Sequence, residues 1–248
     1  MAADSLMQRH FVNQRVLPAS IQQPIDDFYS SMFDSEGIVV RYRKGSPRKQ
    51  ECELLARLIL QLKPERTLDW GLGAGAVCMV IALARRELGI SGQHISLDPC
   101  QHSWAKDVGL IQLQSRGLRD DVDFQEDRSD EFLVEAAKSN RTFDFIFVDG
   151  HHGFGYKVAD AHLADRVLSP GGVIAFHDAL LESTATAVSL LIRDPPYRYW
   201  PLDLSFQPTW KIAGRCIRHA PRLGIRYACK VTPRLGMSIA ALRKPCGG

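Results

Sequence analysis

Residues 67–76 read Thr67-Leu68-Asp69-Trp70-Gly71-Leu72-Gly73-Ala74-Gly75-Ala76. A short apolar strand ends in three alternating glycines and runs into an apolar helical stretch, Ala76 to Leu88. Glycines at such a turn let the backbone bend tightly and approach a ligand where a side chain would collide. The helix that follows offers unpaired N–H groups to an electronegative ligand. Downstream, strand and helix alternate. Residues 93–98 read as a strand, Ser103 to Arg116 as a helix stopped by Gly117, 121–125 as a short strand and 130–138 as a short helix. Residues 143–149 form an apolar strand of the buried parallel type. A helix over Tyr156 to Leu168, a turn over Ser169–Gly172 and a strand over 173–177 follow.

Upstream, Ser46-Pro47 has the form of a helix start. Leu54, Leu55, Leu58, Ile59 and Leu62 then recur at helical spacing up to Pro64. Tyr197 to Leu202 and Met237 to Leu242 supply two further strand candidates. Strands separated by helices of this length require right-handed crossovers and a parallel sheet covered on both faces. The expected fold is therefore α/β: a Rossmann-like, doubly wound, mostly parallel seven-stranded sheet.

Composition narrows the class. With 45% hydrophobic and 24% charged residues in 248, the chain is an ordinary globular sequence able to bury a core without disulfides or metals. Its six cysteines show neither CxxC nor zinc-finger spacing and read as reduced thiols, which points to the cytoplasm. No signal-peptide core is present, and the longest apolar run, Ala74 to Ala84, is too short for a membrane span. No acidic residue follows Asp203, whereas nine bases do, leaving about −6 on the rest of the +3 chain. This basic segment reads as a solvated face, a lid over an anionic substrate or a surface for acidic lipid. No RNA-binding module accompanies it, so nucleic acid is not expected as a partner.

The glycine turn alone admits a bare strand–helix junction. Gly71, Gly73 and Ala76 also fit the G-x-G-x-x-[GA] pattern of dinucleotide sites. Three features favour S-adenosylmethionine. Asp69 lies two residues before the first glycine, where a carboxylate can hold a methionine ammonium but would repel a pyrophosphate. Asp98 ends the second strand, placed to accept both ribose hydroxyls, a feature either cofactor would use. Gln125 to Ser129 forms a polar turn after the third strand, suited to an adenine amine.

The ordered set TLDWGLGAGA (67–76), HISLDP (94–99), FQEDRS (124–129), FDFIFVDGHHGFG (143–155) and LSPGGVIAFHD (168–178) resembles class I S-adenosylmethionine-dependent methyltransferases. It is most similar to their small-molecule O-methyltransferase branch, over Ser46 to Ala179. The resemblance implies cofactor contacts at Asp69, Gly71, Gly73, Gly75, Asp98, Asp127, Ser129 and Asp149. Trp70 departs from the small or aliphatic residue usual inside the first motif. One methyltransferase domain over 1–248 is expected, with 1–45 as a helical or irregular extension and 204–235 as a basic insertion or lid.

A hydroxyl acceptor must lose a proton as it takes the methyl group, through a base or a metal. The resemblance places metal ligands at Asp149, His177 and Asp178, and a catalytic base at His152 beside Asp149, in a motif of the form Asp-Gly-x-His. His177 stands where an acid is more common, and histidine suits softer divalent metals better than magnesium; His177 also reads as a satisfied core histidine, and Asp149 as a residue that only positions backbone or cofactor. S-adenosylmethionine is thus the expected cofactor, and a divalent metal such as magnesium is admitted as a second. His151 and His162 read as supporting or structural. The expected partner is a small hydroxylated acceptor such as a sugar or other natural product, and a homo-oligomer is admitted. Rival readings are a methyltransferase for a macromolecule or lipid and a non-catalytic adenosylmethionine-binding protein.

Overall fold

The computed structural model of the chain describes residues 16–30, 46–92, 94–193, 197–200, 202 and 238–246. The basic segment 204–235 and much of the 1–45 extension lie outside the described residues. In chain order the elements are α1 (Ala19–Ser30), α2 (Lys49–Leu62), β1 (Thr67–Trp70), α3 (Ala76–Glu87), β2 (His94–Leu97), α4 (Val108–Ser115), β3 (Val122–Gln125), α5 (Ser129–Lys138), β4 (Phe143–Val148), α6 (Phe154–Val167), β5 (Leu168–Phe176), α7 (Glu182–Arg193), β6 (Arg198–Tyr199) and β7 (Ala240–Arg243).

The strands form one seven-stranded sheet in the order β3-β2-β1-β4-β5-β7-β6. All pairings are parallel except those of β7, which runs antiparallel to β5 and β6. This is the expected α/β architecture. Strand alternation divides the core. Leu68, Ile95, Ile146 and Ile174 pack with α5, α6 and α7 on one face. Phe145, Phe147, Val173 and Ala175 pack with α1, α2 and α3 on the other. After β1 the chain builds outward to β2 and β3, then returns to place β4 on the opposite side of β1. The crevice where direction reverses, at the carboxyl ends of β1 and β4, is where open α/β sheets bind ligands.

Four local expectations are corrected. The helix expected from Ser103 is a run of turns until Val108, because Lys106 and Asp107 take φ of 50° and 60°, outside the helical region. Ser169–Gly172 lies within β5 as a break in register, where Phe143 pairs Leu168 but Phe145 pairs Val173. Gly171, at φ 77°, absorbs that bulge. Helix α2 starts at Lys49, with the Arg48 N–H donating to Glu51 Oε2 at 2.8 Å, so Ser46-Pro47 lies outside it. Helix α7 was not expected, because Thr184, Thr186 and Val188 blur its pattern with β-branched residues. Among the described residues no helix is long and apolar enough to cross a membrane.

Candidate active site

The glycine turn is built around close backbone approaches. Gly71 sits at φ 97°, and a Cβ on it would lie 2.4 Å from the Asp149 carbonyl oxygen. Gly75, at φ 85°, has the Gly109 carbonyl oxygen 3.0 Å from where its Cβ would be. The turn after β1 is therefore in backbone contact with the loop after β4. Asp98, at the end of β2, accepts hydrogen bonds from the Gly73 N–H at 3.0 Å and the Cys100 N–H at 2.9 Å. Gln101 completes this corner, donating to Asp98 and the Gly73 carbonyl and accepting from the Gly109 N–H. Its fixing role was missed, because nothing in the sequence marks a glutamine three residues past a strand as structural.

Asp69 is buried on the α3 face of the sheet. Its Oδ1 lies 2.6 Å from His94 Nε2, and its Oδ2 has no hydrogen-bond partner among the described residues. Asp127 is exposed at the end of β3. Ser129 donates to Asp160 Oδ1 at 2.7 Å, and the Trp70 indole N–H donates to Asp160 Oδ2 at 3.0 Å. Trp70 also lies directly under Gly150, whose added Cβ would come 2.6 Å from its ring. The unusual tryptophan thus props the loop that follows β4.

That loop carries the candidate catalytic residues. Asp149 and the residues at the end of β5 converge on His177, which is nearly buried. His177 donates from Nδ1 to Asp149 Oδ1 at 3.2 Å and from Nε2 to Glu51 Oε2 at 3.4 Å, with Asp178 Oδ2 3.6 Å from Nδ1. Burial alone would lower the His177 pKa, but the three carboxylates outweigh it and push it up to about 12. Carboxylates facing both ring nitrogens favour the protonated form of His177. Burial raises Asp149 against its pull, whereas Asp178 is lowered by the bond to His177. Glu51, from α2, and Ser238, just before β7, complete the cluster, with the Ser238 hydroxyl bonding the Glu51 carboxylate. Sequence reasoning missed both; the one available signal for Glu51 was a carboxylate at helical spacing from Leu55 and Leu58 on the apolar face of α2, whereas Ser238 carried none.

His152 is about half exposed, with Nε2 3.7 Å from Asp178 Oδ2. Partial burial, helped by the nearby Lys157 charge, holds its pKa below the ordinary value, so its ring is neutral at pH 7. The two histidines of the loop differ. His151 Nδ1 accepts the Gly153 N–H at 2.9 Å, and its ring lies 4.5 Å from that of Tyr156. Lys157, buried beneath the loop, has its pKa lowered by burial. His162 is exposed on α6.

The structure gathers a candidate ligand set different from the expected one. Donor atoms of Asp149, His152 and Asp178 lie within 4.8 Å of one another. His177 instead turns both ring nitrogens to carboxylates.

Comparison with known proteins agrees with the fold. Residues 68–179 match a family described as a methyltransferase domain. Tricin synthase 1 of Oryza sativa subsp. japonica is 30% identical over 140 residues, 54% of this chain and 53% of that protein. A caffeoyl-CoA O-methyltransferase of Populus kitakamiensis is 29% identical over 132 residues, 52% of this chain and 53% of the relative. The chain thus spans about half the length of these curated relatives. Among solved structures, the SAH-bound methyltransferase PaMTH1 of Podospora anserina superposes with a TM-score of 0.59 at 13% identity, covering 98% of this chain and 95% of that one. The O-methyltransferase of Bacillus cereus in complex with SAH gives 0.54 at 16%, covering 97% of each. At these identities the likeness is one of fold. From the second residue of β1 to the turn after β5, the chain is similar to methyltransferase domains.

Proposed function

We propose that the protein transfers a methyl group from S-adenosylmethionine to a hydroxyl of a small molecule. The observation that carries the reading is the backbone contact between the glycine turn and the Asp149 loop. It sets a cofactor cradle against a loop bearing a neutral histidine. The relatives whose names describe O-methylation support the choice of oxygen. In the cradle, Asp98 faces the ribose hydroxyls, Gly71, Gly73 and Gly75 admit the cofactor backbone, and the unpaired Oδ2 of Asp69 receives the ammonium. Asp127 and Ser129 border the adenine, with Ser129 acting through Asp160. The sulfonium methyl is already electrophilic, so the protein supplies approach and orientation. His152 would take the acceptor's proton, and S-adenosylmethionine, when bound, would supply the methyl for the new C–O bond and leave as S-adenosylhomocysteine. Asp149, its neighbour across the His177 bridge, holds the loop. A sugar or other natural-product hydroxyl fits this site, and the nine bases after Asp203 favour an acceptor carrying carboxylate or phosphate. The test is calorimetric titration with S-adenosylmethionine, then a mass-spectrometric screen of hydroxylated acceptors. A chain that binds no S-adenosylmethionine overturns the proposal.

Asp98→Ala is expected to weaken S-adenosylhomocysteine binding about tenfold or more, since hydrogen bonds to a charged group contribute roughly 1.5–3 kcal/mol. Calorimetry on a variant with wild-type circular dichroism checks this. Unchanged affinity removes Asp98 from the ribose site.

The carboxylates of Asp149 and Asp178 would fit a divalent ion, with the His152 imidazole left free as the base. Such an ion would acidify the acceptor hydroxyl. Exhaustive chelation is expected to depress turnover, and magnesium or manganese to restore it. Full turnover after chelation would leave deprotonation to His152 alone.

A further inference from the structure

Beneath the glycine turn lies a second acid–histidine unit, made of Thr67 and Asp69 on β1 and His94 on β2. All three are buried. The strands are in register through Asp69 and Ser96, so His94 sits two residues earlier on the same face. Its Nδ1 lies 2.9 Å from Thr67 Oγ1 and its Nε2 2.6 Å from Asp69 Oδ1. A buried imidazole is costly unless its polar atoms are paired, and here both are. A carboxylate only accepts, so Nε2–H donates to Asp69, and in the neutral ring Nδ1 accepts from the Thr67 hydroxyl. Thr67 thus supports this tautomer, and His94 fixes the orientation of Asp69. With both ring nitrogens engaged, the group Asp69, Cys78 and His94, whose donor atoms lie within 4.8 Å, is a hydrogen-bonded unit rather than a metal centre. One acceptor atom is left over, Asp69 Oδ2. Buried polar atoms without partners are rare in native proteins. This one sits two residues before the turn, where a cation can complete it.

We infer that His94, set by Thr67, is a positioning residue that presents Asp69 Oδ2 to the ammonium group of the cofactor's amino-acid arm. The inference rests on the reading of Asp69 as the ammonium's partner. It separates recognition of the arm, through Thr67, His94 and Asp69, from recognition of the nucleoside, through Asp98. A histidine needed only for packing would not make that distinction.

The experiment compares two probes by calorimetry on the full chain: S-adenosylhomocysteine, and 5′-methylthioadenosine, which has the nucleoside and sulfur but no amino-acid arm. Asp69→Asn is expected to weaken S-adenosylhomocysteine about tenfold or more and leave methylthioadenosine unchanged, as loss of a charge-assisted hydrogen bond requires. His94→Met is expected to do the same. His94→Gln, which keeps an N–H donor near the place of Nε2, should stay within about threefold of wild type, because the bond to the carboxylate survives. Thr67→Val, nearly isosteric, should fall between them and keeps the test alive if His94→Met does not fold. Equal loss for both probes, or no loss for either, in the His94 and Thr67 variants overturns the positioning role while Asp69→Asn still discriminates. If Asp69→Asn itself does not discriminate, the ammonium reading fails and the inference falls with it.

Discussion

His152→Ala is expected to cut turnover by about 10²–10⁴-fold, the usual contribution of a positioned general base. Affinity for S-adenosylhomocysteine should hardly move, because His152 lies on the loop after β4 and outside the glycine turn. The neighbouring His151→Ala should do much less to the chemistry. Its ring accepts the Gly153 N–H and lies against Tyr156, so it shapes the loop rather than facing the acceptor. Both variants are measured at saturating S-adenosylmethionine with an acceptor from the screen. If His151→Ala is the dead variant and His152→Ala the active one, the base has been assigned to the wrong ring.

The pH dependence tests the same assignment independently. Burial and the Lys157 charge lower the His152 pKa, while Asp149 and Asp178 oppose them. A base works in its unprotonated form. Turnover should therefore hold as pH falls through the ordinary histidine value of about 6.5 and decline only below it. His177 does not produce this limb, since its pKa of about 12 keeps it charged throughout. Lys157→Met removes one of the lowering influences and should shift the limb upward. An acid limb centred above about pH 7 in the wild type would contradict a depressed histidine pKa.

The sheet was legible because its central strands carry their own signal. β1, β2 and β4 are almost wholly buried, so they read as short apolar runs bounded by turns, and the three glycines fix where β1 ends. Asp98, Asp149, His152 and Asp178 were legible for the same reason, since each lies next to a strand end. The partners that determine what those residues do were not. Glu51 reaches His177 across 126 residues and Ser238 reaches Glu51 across 187. No local period encodes such a meeting. That is why the carboxylates that face both ring nitrogens of His177, expected as a metal ligand from its motif position, appear only in the structure. Asp69 shows the same limit. Motif position gives it an expected ligand, but only strand register places His94 beside it.

Gly71→Ala is expected to be the most damaging single-methyl substitution in the described chain. Its φ of 97° lies well outside the region an L-residue adopts, and the new Cβ would come 2.4 Å from a backbone oxygen that no side-chain rotation can move. Strain of about 1–3 kcal/mol and overpacking of about 1–3 kcal/mol act together, a large part of the roughly 5–15 kcal/mol that holds a typical domain folded. Relief requires the turn and the Asp149 loop to separate, which would open the cradle and carry His152 away from it. The variant should therefore lose both thermal stability and S-adenosylhomocysteine binding. Two controls isolate the causes. Gly89 shares a positive φ of 65° but has nothing within 4 Å of an added Cβ, so Gly89→Ala should cost strain alone, about 1 kcal/mol, and leave binding intact. Gly155, in the first turn of α6, is unobstructed and has no positive φ, so Gly155→Ala should be neutral or stabilising by up to about 1 kcal/mol. Denaturant unfolding and calorimetry of the three variants give the comparison. If Gly71→Ala behaves like Gly89→Ala, the contact between the turn after β1 and the loop after β4 is not what holds the site together.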